Sequence, residues 1–90
     1  MHHRLKINPK WFDLVISGKK RAEVRKNDRL FESGDTVTLR EFDVDCTGRT
    51  VEIEITHVLY HDDFPEGLKP GYCVFSFMLQ DYPAQEADDS

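Results

Sequence analysis

Cysteine is scarce: two in ninety residues, neither in a CxxC nor in any other ligand-spaced pair, which removes the basis for a disulfide framework or a zinc-finger pattern. Long apolar runs are also missing. No stretch approaches the roughly 20 residues that a spanning helix needs, and the chain opens on charged and polar residues where a leader would be apolar. The expectation is a cytoplasmic, reducing setting without membrane association. There is no Gly-rich phosphate loop, no Ser-His-Asp order and no internal repeat, so no cofactor and no metal is implied by motif. His57 and His61 lie four apart, roughly 13 Å along an extended strand, too far for joint metal ligation unless the chain turns. His61-Asp62-Asp63 reads as a solvated loop, and His2 and His3 as exposed residues at the start of the first strand.

What is present is charge, unevenly placed. The net charge is -5. Residues 1–40 hold ten lysines and arginines against five acids, while residues 41–90 hold two against twelve. Six bases (Lys19, Lys20, Arg21, Arg25, Lys26, Arg29) fall within eleven positions. An anionic ligand is the natural inference, since local fields persist over the ~8 Å Debye length whatever the global charge. Pairing between the two halves is the plainer alternative. At this length a single core is available, burying ~60 to 65% of the unfolded chain's surface.

Leu5 and Ile7 alternate with Arg4 and Lys6 as a short strand, and Asn8-Pro9 supplies an N-cap with proline at the first helical position. Trp11, Phe12, Val15 and Ile16 form one apolar stripe, and Gly18 ends the helix. That stripe makes Trp11 a core residue; a base-stacking platform is the alternative. From Ala22 the period becomes two, with Ala22 and Val24 on one face and Arg21, Glu23 and Arg25 directed outward. Turn signals at Lys26 to Asp28 and Ser33 to Asp35 precede a strand over 36–42 with Val37 and Leu39 inward. The run 49–60 changes phase near Thr56-His57, which predicts a bulge or bend of the kind a small barrel needs. A loop over 61–71 leads to a final strand, Tyr72 to Leu79, apolar on both faces and therefore central, with Cys73 as a small buried hydrophobe. Residues 81–90 carry four acids and no base and read as an acidic disordered tail.

This order gives an α+β domain over residues 1–80, built on a small, partly open β-barrel with one main N-terminal helix. Gly18-x-Lys20-x-x-Glu23-x-Arg25 resembles the GxKxxExR signature of the ASCH domain, a PUA-like branch associated with RNA. The resemblance takes in Ser33-Gly34-Asp35-Thr36-Val37, the strand ending at Val58-Leu59, and Gly67-Leu68-x-x-Gly71-Tyr72, and is nearest to a small bacterial and phage ASCH-like group. It implies a PUA-like barrel with a cleft lined by Lys20, Glu23 and Arg25 that takes RNA or a nucleotide. Some small bacterial ASCH proteins are amidohydrolases of acetylated cytidine, using the motif lysine, a threonine three residues on and a glutamate from a later loop. Here Glu23 stands at the threonine position, and Asp62, Asp63 and Glu66 offer no matching register for the later glutamate.

Three functions are open. The first is an RNA or nucleotide binder in which Lys19, Lys20, Arg21, Arg25 and Lys26 meet phosphate beside Glu23, with Tyr72 or Tyr60 stacking on a base. The second is a small hydrolase, amidohydrolase or ribonuclease, of a modified nucleoside or RNA. There Glu23 is the base, and Lys20 and Arg25 stabilise developing charge. The third is a protein-interaction module that sets its acidic second half against a basic partner.

Overall fold

Strand β1 (His2–Ile7) leads into helix α1 (Pro9–Ile16), followed by β2 (Ala22–Lys26), β3 (Thr36–Asp43), β4 (Asp45–Tyr60), a short 3-10 turn (His61–Asp63) and β5 (Tyr72–Leu79). The structure, a computed structural model, describes residues 1–80, so the acidic segment 81–90 lies outside the described residues. The five strands form one sheet in the order β1-β3-β4-β5-β2, with β1 parallel to β3 and every other pairing antiparallel. This is a small, curled, mixed half-barrel with one short helix.

The helix begins where Asn8 Oδ1 accepts the Lys10 N–H at 2.9 Å and Pro9 occupies the first turn. It ends at Gly18, whose φ of +80° lets the Leu14 carbonyl accept from both Lys19 and Lys20 at 3.0 Å. Only Phe12 and Val15 of α1 are buried. Trp11 is 43% exposed and Ile16 42%, which corrects the reading of Trp11 as core. The reason is geometric. A two-turn helix touches the sheet along the i, i+3 line through Phe12 and Val15, and the 100° step per residue carries their neighbours onto the flanks.

Strand β4 is long enough to serve two neighbours. Thr36 to Arg40 of β3 pair with 50–54, whereas Ile53 to Tyr60 pair with β5. The sheet curls over this handover, and the register slips between Ile55 and His57, the bulge expected from the phase change. Strand β5 is paired on both edges, but the middle strand is β4, so β5 is interior and not central. The curl encloses Leu5, Ile7, Val37, Leu39, Ile53, Ile55, Val58, Cys73, Phe75 and Phe77, with Phe12 and Val15 from above and Phe31 from the β2–β3 connection. Phe31 and Phe75 pack at 5.1 Å between centroids, and truncating either to alanine costs about 3–5 kcal/mol.

Two further expectations are corrected. His3 is not exposed: it is buried with its Nε2 2.8 Å from Asp35 Oδ2 and its ring edge-on to Phe31 at 4.8 Å. Burial works to raise the Asp35 pKa, but hydrogen bonds with His3, the Met1 amino group and the Glu32 N–H outweigh it and hold the carboxyl below its ordinary value. The second concerns β2. Pairing places Glu23 opposite Phe75 and Arg25 opposite Cys73, on the inner face, while Ala22 and Val24 stand outward with Ser76 and Val74. Val24 is 60% exposed. The inversion follows from the open seam of the half-barrel. Among the described residues no ladder joins the edge strands β2 and β1, and Arg25 Nη2 instead donates to the Lys6 carbonyl at 2.8 Å, clipping one edge to the other.

Candidate functional site

Residue parity along a strand would send Lys20 and Glu23 to opposite faces. The turn after Gly18 removes that obstacle, because Lys20 precedes the strand and its side chain folds back over it. Lys20 Nζ donates to the Ala22 carbonyl at 2.6 Å and lies 3.0 Å from Glu23 Oε1. The other carboxylate oxygen, Oε2, accepts from Arg25 Nε at 2.7 Å. The three charged residues of the motif therefore form one chain, Lys20–Glu23–Arg25, with Glu23 clamped between two cations. An ammonium has three donors, so two internal partners leave Lys20 one N–H for a ligand.

Two shallow clefts meet at Lys20. One, of about 240 Å³, is lined by Trp11, Lys20, Glu23 and Val24. The other, of about 300 Å³, is lined by Val15, Gly18, Lys20, Arg21 and the β5 end, Phe77 to Leu79. Trp11 forms a wall of the first, with Lys10 Nζ at 4.8 Å and Lys20 Nζ at 5.6 Å from its ring centroid. An exposed indole flanked by two ammoniums suits a ligand with both a π-face and negative charge. The sequence offered Trp11 as a base-stacking platform only as the alternative to a core role. The available signal was that the chain's one tryptophan follows a lysine and lies at the edge of a short helix's apolar stripe.

The remaining candidates divide. Lys19, Arg21 and Lys26 are exposed, with Arg21 Nε bonded to the Gly18 carbonyl at 3.1 Å. Arg25 spends two of its five N–H donors, Nε on Glu23 and Nη2 on the Lys6 carbonyl, and these two bonds make it a positioning group for Glu23. Tyr72 pairs with Lys26 at the opposite end of β2 and lines a different cleft, of about 220 Å³, with Asn27, Tyr60, His61, Asp62 and Gly71. The Tyr60 hydroxyl donates to the Phe31 carbonyl at 2.6 Å, so that ring is fixed in place. Burial pushes the Cys73 thiol up, in keeping with a packing residue. Among the described residues there is no group of three or more His, Cys, Asp or Glu side chains able to hold a metal ion, and no helix long and apolar enough to cross a membrane.

A small curled α+β half-barrel with a basic, aromatic cleft beside its edge strand is the class of protein these features define. The chain belongs to the family described as Domain of unknown function (DUF3850), whose model matches residues 2–77. It is 51% identical over 65 residues to the uncharacterised 12.9 kDa protein in the GpA 3′ region of Escherichia phage P2; the match takes in 71% of this chain and 60% of that protein's length. The crystal structure of hypothetical protein PH0355 is similar with a TM-score of 0.62, covering 89% of this chain and all of that one. At 14% identity, that likeness is one of fold.

Proposed function

We propose that this domain is an RNA- or nucleotide-binding module of the ASCH, PUA-like type, with its ligand held where α1 meets β2. The observation that carries the reading is Trp11, exposed over the Lys20 cleft between two lysine ammoniums. A base stacks on the indole by taking the place of an ammonium now over the ring, and its phosphate draws Lys10 and Lys20 to itself along with the exposed Lys19 and Arg21. Glu23, neutralised by Lys20 and Arg25, holds the lysine in place and contributes little repulsion. The same clamp weighs against the hydrolase alternative: both oxygens of the would-be base are engaged, and neither cleft at Lys20 is lined by a hydroxyl or thiol side chain among the described residues.

The test is an amide NMR titration of the labelled chain with short mixed-sequence single-stranded RNA at two salt concentrations. Shifts should concentrate at Trp11 and Gly18 to Lys26 and fade as salt rises. Spectra that do not move with any RNA at low salt would overturn the reading.

A further inference from the structure

We infer that the ligand is a single-stranded nucleic acid that runs the length of β2, engaging Trp11 at one end and Tyr72 at the other, and not a mononucleotide held at Lys20 alone. The inference rests on the nucleic-acid reading above and extends it to ligand length and path. The strand register sets Lys26 opposite Tyr72, and the Trp11 cleft reaches along β2 as far as Val24, so two residues of β2, about 7 Å, part the two clefts. Stacked nucleotides advance 3.4 Å each along one strand, so this gap takes about two steps, and a chain of about three to four nucleotides reaches both platforms.

Each end of the strip repeats the same pair of groups. Trp11 has Lys10 and Lys20 near its ring; Tyr72 has Lys69 Nζ at 6.0 Å from its ring centroid and Lys26 as its cross-strand neighbour. Between them, Ala22 and Val24 project outward, uncharged and exposed. The one carboxylate of the strand, Glu23, is turned inward and clamped by two cations. The inverted parity of β2 thus leaves a path between two aromatic platforms whose one bordering carboxylate, Glu23, is neutralised by Lys20 and Arg25. Asp62 borders the Tyr72 cleft, which places the backbone phosphates on the Lys26 side of that ring. A peptide strand added to the free edge of β2 fits less well, because the Arg25 guanidinium already occupies that edge where it clips to the Lys6 carbonyl.

Trp11 is the chain's single tryptophan, so its fluorescence reports stacking directly. The full chain is titrated at low salt with uridine monophosphate, with oligouridylates of two, four and eight nucleotides, and with an octaglutamate peptide. Affinity should rise about tenfold or more from the mononucleotide to the tetramer, by the usual worth of one further stacked base and its phosphates. Tyr72→Ala should weaken the tetramer by about tenfold and leave the mononucleotide unchanged, with Tyr72→Phe retaining tight binding. The exposed pair Lys26→Ala with Lys69→Ala should give the same length-selective loss without touching the core. Equal affinity for mononucleotide and tetramer, or a tetramer insensitive to both sets of variants, overturns the path while leaving a nucleotide site at Trp11. Octaglutamate binding as tightly as the octamer overturns it in favour of bare charge attraction. Failure of every nucleic-acid length to bind removes the underlying reading as well.

Discussion

Glu23 and Glu41 are both carboxylates gripped by an arginine, and their surroundings give them opposite uses. Glu41 is 5% exposed, and Arg49 closes on it with two bonds, Nε to Oε1 at 2.9 Å and Nη2 to Oε2 at 2.8 Å. Thr47 donates a third at 2.6 Å. Arg49 also reaches Asp13 at 2.9 Å and lies over the Phe12 ring at 4.7 Å, so this cluster rivets the β3–β4 hairpin to α1. Arg49 and Thr47 together pull the Glu41 pKa from 4.5 down to about 2. Glu23 faces a cleft, and one of its cations is a lysine with a donor to spare and an exposed indole beside it. Glu41, buried and held by three donors, ties the fold together. A pair left with unused donors on an open face can take a ligand.

The contrast can be broken most forcefully at Arg49. Arg49→Ala leaves a buried carboxylate without its fork and should lower the Tm by many degrees in a circular-dichroism melt. Arg49→Lys should recover only part of the loss, for want of a bidentate group. RNA affinity of the folded fraction should be unchanged in both; a matching loss of binding would mean that the two clusters are one site.

Acid is the next lever. A carboxyl whose folded pKa lies below its unfolded value stabilises the fold fully above the unfolded value and loses that contribution as pH falls towards the folded one. For Glu41 the window runs from about 4.5 down to about 2, and Asp35, also lowered, acts in the same direction below its ordinary 3.8. Tm should therefore fall across that window, and Glu41→Gln should flatten the curve. Parallel curves for variant and wild type would show that Glu41 is not the group responsible.

Lys20→Ala sharpens the other side of the comparison. It should weaken RNA binding about tenfold and reduce the slope of log affinity against log salt by about one. Its effect on stability should be smaller than that of Arg49→Ala, because Arg25 stays paired with Glu23. A large fall in Tm with unchanged affinity would make Lys20 a structural residue like Arg49. The smallest effect is expected at Glu23→Gln, which frees Lys20 from a carboxylate and should tighten RNA binding a few-fold at low salt. If the wild type instead turns over a nucleoside or RNA substrate and this variant does not, Glu23 is a catalytic base and the binding-module reading gives way.

Much of the fold was legible because it rests on local rules. Asn8-Pro9 and Gly18 bracketed the helix through capping and left-handed backbone, and the phase change at Thr56-His57 marked the bulge. The faces of β2 were misread because an edge strand beside an open seam does not need its apolar residues inside; there Arg25 and Glu23 do the closing. Trp11 was misread because an apolar stripe of four is wider than the surface an eight-residue helix can bury. His3 was missed because its partner, Asp35, stands 32 residues away on the connection into a parallel neighbour, a distance no local pattern spans.

By itself, then, the sequence determined a single α+β domain with a basic helix-to-strand junction, because caps, turns and alternation act between residues a few positions apart. Only the tertiary structure decided that Lys20, Glu23 and Arg25 join into one chain beside an exposed Trp11, and that Tyr72 stands at the far end of the same strand. Those relations depend on which strand β2 pairs with and on where the barrel is left open. Both are set by long-range packing of the core, whose energy is shared among residues throughout the chain and carries no local signature.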